Sequence, residues 1–382
     1  MKQIYFDNAA STKVDEQVLE AMIPYFTEKY GNASSVHEMG KEAKKALEDS
    51  RKTIAKALGA KVDEIYFTSG GTEANNFALK GLFFQQKKDN TGKNHIITTK
   101  IEHDCIINTC RWLEMQGAEV TYLDVDKEGF VNPSDVENAI TDKTFLVTII
   151  QGNNEIGTIQ DLSEIGKICR KKKVLFHTDA CQSFTKTTLD VKKQNLDLVT
   201  LNAHKIHGPK GVGAIYIRKG VDIVPLFHGG GHENGLRSGT ENVSGIVGFA
   251  KAAEIANKKH VDYMTKLRDR MISGLLKIPG VTLNGPKSGN GKRLCNNVNI
   301  SFENVEGEVV GGYLENFGIC TSTGSACMSH SKEGISHVLK ALGLSNEQAA
   351  NSIRVSISRF TTEEEIDFFL EKIEKVLGKF RK

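Results

Sequence analysis

The chain has 382 residues, of which 39% are hydrophobic and 25% charged, and its 50 Lys and Arg against 47 Asp and Glu give a formal net charge of +3. This composition is typical of a globular protein and excludes a collagen-like or largely disordered chain, while the length suits about two domains. Because the basic residues are spread along the chain and form no tail or stripe, nucleic acid is not a predicted partner.

The sequence carries no pattern typical of membrane insertion or secretion. No run reaches about 18 uninterrupted apolar residues. The first seven residues include Asp7, an acid where a signal peptide needs an apolar run. The interpretation is a cytoplasmic protein with no membrane partner. Its seven cysteines are odd in number and include no C-x-x-C pair, which excludes a disulfide framework and predicts that most are small buried residues.

Short apolar, β-branched runs alternate with helical patterns over the first two thirds of the chain. This rhythm predicts an α/β protein with a large, mainly parallel seven-stranded sheet covered on both faces. The predicted strands are Glu64–Thr68, His95–Thr99, Val120–Leu123, Phe145–Ile150, Val174–His177, Leu196–Leu201 and Gly213–Ile217. They belong to a predicted large domain at 16–260, and residues 1–15 are predicted to pack with a second, smaller domain.

The last third of the chain, 261–382, predicts that smaller α+β domain. A long amphipathic connecting helix from about Ser244 to Leu276 leads into it. The further predicted elements are strand Asn297–Ser301, a helix from Glu306, strand Ile319–Thr321, helix Ser336–Leu342, strand Ser352–Ser356 and a closing helix from Thr362. A capping hydroxyl and three acids at 363–365 favour that last helix start.

The first motif with a chemical interpretation follows the strand at Glu64–Thr68. Residues 68–73 read Thr-Ser-Gly-Gly-Thr-Glu and lead into a helix. Glycine at 71 lets the backbone approach an anion, Thr72 adds a hydroxyl, and a helix N-terminus supplies free N–H groups, so the turn fits a phosphate. An ordinary helix cap explains the same residues equally well.

A carboxylate and an amine follow two later strands. Asp179 comes after the apolar run at 174–176, and Lys205 lies 26 residues further on, after the next run. Because a strand–helix–strand unit takes about 30 residues, this spacing can place both side chains at one edge of neighbouring strands. A buried salt bridge is one explanation. With a phosphate cup, the pair also fits pyridoxal phosphate, whose aldehyde binds a lysine and whose pyridinium nitrogen pairs with an aspartate.

Nine short motifs span nearly the whole chain, at 6–12, 31–37, 68–76, 102–103, 153–157, 177–182, 204–213, 229–240 and 322–327. In this order and at these intervals they resemble the cysteine desulfurases of the class V aminotransferase family, which are fold-type I pyridoxal-phosphate enzymes. The order is far more specific than any motif alone. The resemblance implies that fold, pyridoxal 5′-phosphate as cofactor, and a homodimer with shared active sites.

Carried over to this chain, the resemblance implies a complete cofactor site. Lys205 would form the Schiff base, Asp179 would hold the pyridine nitrogen, and His103 would stack on the ring. The residues implied to bind the phenolic oxygen are Asn154 and Gln182, and those implied to bind the phosphate are Gly71, Thr72, Asn202, His204 and, from the second subunit, Thr240. Taken singly, these could be core histidines, turn amides and a loop hydroxyl. The family usually has serine at position 202, and the amide of Asn202 can still donate to a phosphate oxygen.

Two residues of the smaller domain complete the predicted site. Cys327 lies in a stretch of small, polar residues at 322–331 that is typical of an exposed loop. This loop is of the longer type, which resembles the iron–sulfur-cluster and nitrogen-fixation branch. Arg354, together with Asn154, is predicted to bind the substrate, because its fork suits an α-carboxylate. No resident metal is predicted, although a Cys327 persulfide could transiently ligate an iron–sulfur cluster.

The predicted function is removal of sulfur from L-cysteine to give L-alanine and a persulfide on Cys327. Lys205 would remove the α-proton, the Cys327 thiolate would attack the substrate sulfur, and His103 would accept a proton. The predicted partner is a sulfur-acceptor protein, either an iron–sulfur scaffold or an enzyme of tRNA or cofactor thiolation. Two alternatives stay open: a selenocysteine or cysteine lyase, which does not strictly need Cys327, and a non-catalytic assembly subunit, against which the intact set of Lys205, Asp179 and Cys327 argues.

Overall fold

The computed structural model describes residues 3–287, 289, 291–323 and 335–380. Its strands are β1 (Ile4–Tyr5), β2 (Ile65–Thr68), β3 (His95–Thr99), β4 (Glu119–Leu123), β5 (Thr144–Thr148), β6 (Leu175–Asp179), β7 (Leu198–Asn202), β8 (Gly213–Ile217), β9 (Val281–Leu283), β10 (Asn297–Phe302), β11 (Ile319–Cys320) and β12 (Ser352–Ser356). Its helices are α1 (Glu16–Met22), α2 (Pro24–Thr27), α3 (Glu38–Leu58), α4 (Gly71–Lys88), α5 (Asp104–Glu114), α6 (Pro133–Ala139), α7 (Leu162–Lys172), α8 (Val243–Ile255), α9 (Lys258–Leu275), α10 (Gly307–Glu315), α11 (His337–Ala341), α12 (Asn346–Ala350) and α13 (Glu363–Gly378).

The largest element is a seven-stranded sheet in the order β2-β8-β7-β6-β5-β3-β4. Strand β8 runs antiparallel to β2 and β7, and the other neighbouring pairs are parallel. Strands β3, β5 and β8 are buried along their whole length, as expected of a sheet covered by helices on both faces. The predicted mainly parallel seven-stranded sheet is therefore confirmed.

Two apolar clusters cover the two faces of this sheet. One cluster joins the inward faces of α1, α3, α7 and α8 to the sheet. The other joins α4 and α5 to the opposite face. Helices cover both faces of the sheet, so a ligand can reach it at the ends of its strands. Sheets of this type bind their ligands at the carboxyl ends of the parallel strands.

A smaller antiparallel sheet, β12-β10-β9, forms beside helices α9, α10 and α13. The first strand of the chain, β1, pairs in parallel with β11, and Phe6 is fully buried in the same apolar cluster. The closing helix α13 starts as the sequence indicates: Thr362 Oγ1 accepts from the N–H of Glu365, and the Glu365 carboxylate accepts from the N–H of Thr362, both at 3.2 Å.

The predicted continuous helix from Ser244 to Leu276 is wrong at Ala256 and Asn257, where the structure has a break. The pattern from Ser244 to Leu276 predicts one continuous helix, but α8 ends at Ile255 and α9 starts at Lys258. Ala256 is extended, and the side chain of Asn257 accepts from the N–H of His260, which makes Asn257 the N-cap of a new helix. Strand β9 is also missed by the sequence analysis, because its three residues are too short for a periodic signal. Within the described chain no helix is both long and apolar enough to cross a membrane.

His177, in the centre of the large sheet, is expected to make folding stability depend on pH. Its ring lies fully buried between the hydroxyls of Thr148 (2.8 Å) and Thr200 (3.0 Å), and burial lowers its pKa to about 4. Since an unfolded histidine titrates near 6.5, the unfolded chain binds the extra proton first, and stability falls as pH drops from about 6.5 towards 4. Between pH 7.5 and pH 5 this one group should cost about 2 kcal/mol.

Urea unfolding of wild type and His177→Asn at both pH values tests this expectation. The variant should lose less stability on acidification, because asparagine does not titrate. Equal pH dependence in the two proteins would show that His177 is not the responsible group.

Candidate functional site

The predicted amine and carboxylate lie on neighbouring strands at one edge of the large sheet. Asp179 is the last residue of β6 and is paired in register with Thr200 of β7. Lys205 ends the short 3-10 turn that directly follows β7. The structure therefore brings both residues to the carboxyl ends of adjacent parallel strands.

The buried carboxylate of Asp179 is held by two donors. Asn75 Nδ2, from the first turns of α4, donates to Oδ2 at 2.7 Å, and the N–H of Cys181 donates to Oδ1 at 2.8 Å. The arrangement keeps Asp179 as an acceptor.

The amine of Lys205 contacts the N-terminal segment. Its Nζ donates to the backbone carbonyls of Ala9 (2.6 Å) and Ala10 (2.8 Å). Gln182 Nε2 donates to the same carbonyl of Ala9 at 2.8 Å. The segment at 9–10 therefore fixes two of the predicted cofactor residues.

His103 is the N-cap of α5, and its Nδ1 accepts from the N–H of Cys105 at 3.1 Å. Burial lowers the pKa of the His103 ring; the charge of Asp179 raises it and that of Lys205 lowers it. His204 lies within 3.3 Å of Ser11 Oγ, and burial lowers its pKa to about 4. Both histidines are consequently neutral near pH 7.

The predicted phosphate cup is the N-terminus of α4. Gly70, the residue before the helix, provides no side-chain cap to its N–H groups. A Cβ on Gly71 would lie 2.5 Å from Cys181 Sγ and 3.4 Å from Asn202 Nδ2, so a larger residue here would have to displace the Cys181 side chain. Thr72 is exposed at the same turn. Uncapped helix N–H groups beside a small residue favour an anion over an ordinary cap.

The predicted substrate residue Arg354 is buried in the middle of β12. Its Nη2 donates to Asp7 at 2.8 Å and its Nη1 to the backbone oxygen of Asn154 at 3.3 Å. Its Nε is buried without a partner in the described chain. The guanidinium of Arg354 therefore has one hydrogen-bond donor, Nε, without a partner, and its contact with Asp7 fixes its orientation.

The structure describes one of the two remaining predicted site residues, Thr240, but not the other, Cys327. Thr240 is exposed, and it lines a cavity with Ser69 and Gly211 close to the start of α4. Cys327 lies outside the described residues. Across 3–287, 289, 291–323 and 335–380, no group of three or more His, Cys, Asp or Glu side chains is placed to hold a metal ion.

The residues present fit pyridoxal phosphate. Asn202 lies at the cup, where its Oδ1 is buried without a partner among the described residues, so its amide is incompletely satisfied there. Its Nδ2 is the atom that would donate to a phosphate oxygen. The other groups that this cofactor requires are also present: a lysine amine, an aspartate whose carboxylate accepts hydrogen bonds, and an uncapped helix N-terminus.

The sequence analysis missed several residues of this site. Asn75 lies within the motif at 68–76, four residues after Gly71, so helical periodicity could have placed it on the same helix face. Most of the cysteines are predicted to be buried, but Cys105 and Cys181 are partly buried and lie beside Asp179 and its partners. The carbonyl of Ala9 gives no sequence signal, because any residue has one.

Comparisons with known proteins agree with this geometry. A family model described as aminotransferase class-V matches residues 4–369. A cysteine desulfurase IscS from Methanosarcina thermophila is 51% identical over 383 residues, which cover 100% of this chain and 93% of that protein. A solved NifS-like protein is 43% identical with a TM-score of 0.91, covering 99% of this chain and 100% of the other. A structure described as SspA in complex with cysteine is 38% identical with a TM-score of 0.84, covering 94% and 100%.

Proposed function

The chain belongs to the aminotransferase class-V family, and we propose that it is a cysteine desulfurase, which converts L-cysteine to L-alanine and retains the sulfur as a protein persulfide. The observation that carries this proposal is the meeting of Lys205, Asp179 and the N-terminus of α4 at one sheet edge. Similarity over the full length to a cysteine desulfurase, and to a structure containing cysteine, supports the choice of substrate.

The cofactor is pyridoxal 5′-phosphate, which when bound supplies an electron sink for negative charge on the substrate α-carbon. Lys205 provides the amine that binds it, and Asp179 accepts from the pyridinium N–H. The N–H groups at Gly71 and Thr72, with the side chains of Asn202 and His204, hold the phosphate. Asn154 and Gln182 bind the phenolic oxygen.

His103 would lie against the cofactor ring, and its Nε2, the nitrogen that does not bond to Cys105, would be the one available to the substrate sulfur. Once the Ala9 and Ala10 carbonyls release it, the Lys205 amine removes the α-proton. The Cys327 thiolate then attacks the substrate sulfur. The carbon–sulfur bond breaks, a sulfur–sulfur bond forms on Cys327, and the carbon skeleton takes up protons to leave as alanine.

A direct assay tests the proposed function. Purified protein loaded with pyridoxal phosphate is incubated with L-cysteine and a reducing thiol, and alanine and released sulfide are measured. The two products should form in equal amounts. Absence of alanine from protein that has bound its cofactor would refute the proposed activity.

Arg354 is proposed to bind the substrate α-carboxylate through its guanidinium fork. Arg354→Lys keeps the charge but removes the second parallel hydrogen bond. The KM for L-cysteine should rise about tenfold, while kcat changes little, corresponding to about 1.4 kcal/mol of binding. Steady-state kinetics measure both constants.

Arg359→Lys is the matched control, because the Arg359 side chain is buried to a similar degree and pairs with Asp15 at 2.5 Å, a different carboxylate from the one that Arg354 contacts. An unchanged KM in Arg354→Lys, or an equal rise in the control, would contradict the assignment.

We further propose a homodimer whose second subunit completes each cofactor site. The residues that support it are large apolar side chains exposed along α1, α2 and the segment before α3, namely Leu19, Ile23, Phe26, Tyr30 and Val36. Clustered exposed apolar residues mark interaction surfaces. Thr240, exposed in a glycine-rich segment, is the residue proposed to reach the partner's phosphate.

Mixing two inactive variants tests whether Thr240 acts across the interface. Thr240→Asp places a negative charge against the phosphate, and Lys205→Ala removes the amine. In a mixed dimer one site carries both changes and the other carries neither, so each mixed dimer should regain up to about half the wild-type activity. Random exchange of equal amounts makes about half of the dimers mixed, so the whole mixture should regain up to about a quarter.

The control mixes Lys205→Ala with Asp179→Ala. Both residues belong to one subunit's site, so each site of that mixed dimer stays damaged and no activity should return. Failure of the Thr240 mixture after proven subunit exchange would contradict the shared site.

The persulfide is proposed to pass to an acceptor protein of iron–sulfur cluster assembly or of tRNA or cofactor thiolation. All six cysteines in the described chain are free thiols, which fits the prediction of a reducing, cytoplasmic compartment. Measuring which purified acceptor removes sulfur from the persulfidated protein distinguishes the two classes of acceptor.

A further inference from the structure

Cys105 contacts two residues of the proposed active site. It is the second residue of α5, and its Sγ lies 3.1 Å from His103 Nδ1 and 3.1 Å from Asn75 Nδ2. The same Asn75 nitrogen donates to Asp179 at 2.7 Å. The thiol therefore connects the ring-stacking histidine to the amide that holds the aspartate.

The backbone of Cys105 decides where the proton of neutral His103 resides. Its N–H donates to Nδ1 at 3.1 Å, so Nδ1 carries a lone pair. A neutral imidazole bears one proton, which must then lie on Nε2. Nε2 is consequently a hydrogen-bond donor in the resting protein.

The Cys105 thiol, like the Cys105 N–H, disfavours a proton on Nδ1 of His103. Burial raises the pKa of Cys105 to about 12, with the charge of Asp179 adding to the effect, so the sulfur keeps its hydrogen. Asn75 donates to the sulfur, which leaves the S–H free to point at Nδ1. Two donors from one residue then converge on a single nitrogen and oppose its protonation.

We propose that Cys105 is a positioning residue, which fixes His103 as an Nε2–H donor towards the substrate sulfur and keeps it from acting as a proton acceptor at the start of the reaction. This inference rests on the proposed function for the identity of the substrate. The proposal differs from the acceptor role predicted for His103 from the sequence, because it assigns the Nδ1 lone pair to the N–H of Cys105.

Other charged groups around His103 set the background for this effect. Asp179 from β6 and Asp104 from α5 raise its pKa, whereas Lys205 after β7 and His337 of α11 lower it. None of these groups changes when Cys105 is replaced. A difference between variants at this position therefore reports on the thiol.

Nitrogen-15 NMR of histidine-labelled protein, with and without pyridoxal phosphate, tests the assignment directly. His103, identified by the signal lost in His103→Asn, should be the Nε2–H tautomer near pH 7 in both states. An Nδ1–H signal would overturn the proposal. This readout needs no turnover, so it stands even if no alanine forms, an outcome that would refute only the proposed function.

Two substitutions separate hydrogen bonding from packing. Cys105→Ala removes the second donor, so the pKa of His103, followed by the same nitrogen-15 signals, should rise by about half to one pH unit. Cys105→Ser keeps a donor and should restore this pKa towards wild type. Cys110→Ala, on the buried face of the same helix, is the control and should leave it unchanged. Equal shifts in the alanine and serine variants would show a packing effect and contradict the proposal.

Discussion

Lys205→Ala is expected to abolish alanine formation and to remove the visible absorbance of the bound cofactor. The reason is that Lys205 supplies the amine that binds pyridoxal phosphate covalently, at the end of the strand beside Asp179. Absorbance spectra and an alanine assay measure the two losses. Borohydride reduction of the wild type, followed by peptide mass spectrometry, should place the cofactor on Lys205.

Lys186 is the strongest rival amine and hence the most informative control. Burial lowers its pKa to about 8, and the neighbouring charge of Lys205 acts in the same direction, so a larger fraction of Lys186 is neutral than of an exposed lysine. Its Nζ donates to the carbonyl of Gln182 at 3.0 Å, away from the cup. Lys186→Ala should keep the absorbance band, as should Lys210→Ala at an exposed position. A normal band in Lys205→Ala, lost in either control, would show that the cofactor lysine is misassigned.

Cys327→Ser is expected to separate cofactor binding from sulfur transfer. The substitution exchanges one atom and leaves Lys205, Asp179 and the α4 cup unchanged, so the variant should bind pyridoxal phosphate and L-cysteine normally. It should form almost no alanine, because a serine hydroxyl has a far higher pKa than a thiol and cannot attack sulfur as an anion. Mass spectrometry of wild type treated with L-cysteine should find the added sulfur on Cys327.

Cys320→Ser is the matched control for this experiment. Cys320 lies seven residues earlier in β11, and partial burial raises the pKa of its thiol, which disfavours a thiolate. That variant should keep wild-type alanine formation and persulfide. Near-normal alanine formation by Cys327→Ser would mean that sulfur leaves without a protein nucleophile, and the lyase alternative would replace the desulfurase.

The sequence predicts the part of the site that depends on strand ends. Asp179 and Lys205 are recognisable because each follows an apolar run, and residues at the ends of adjacent parallel strands meet at one edge. The same logic predicts the seven-stranded sheet, since buried strands read as continuous apolar runs. Reading the apolar pattern fails at 256–257, where it predicts a continuous helix. The side chain of Asn257 caps a new helix there, although the helical pattern continues on both sides.

Contacts between segments distant in sequence could not be predicted in this way. The carbonyl of Ala9 reaches Lys205 across 196 positions, and Asn75 reaches Asp179 across 104. Such pairings depend on how the helices and the N-terminal segment pack, and a backbone carbonyl has no residue preference to reveal it. The role of Cys105 depends on the orientation of one ring, which no periodicity encodes.

The N-terminal segment has a consequence for how the protein loses its cofactor. Ile4 and Tyr5 pair with β11, and the N–H of Ala9 donates to Ser356 Oγ of β12 in the smaller sheet at 2.8 Å. Further along the segment, Thr12 Oγ1 accepts from the N–H of His207 at 2.9 Å and donates to the carbonyl of His204 at 2.9 Å, next to Lys205. Melting of the smaller sheet would therefore withdraw the carbonyls of Ala9 and Ala10 from Lys205 without touching the large sheet. Gentle heating should therefore release pyridoxal phosphate early. That release would report unfolding of the smaller sheet, which supplies none of the proposed cofactor contacts.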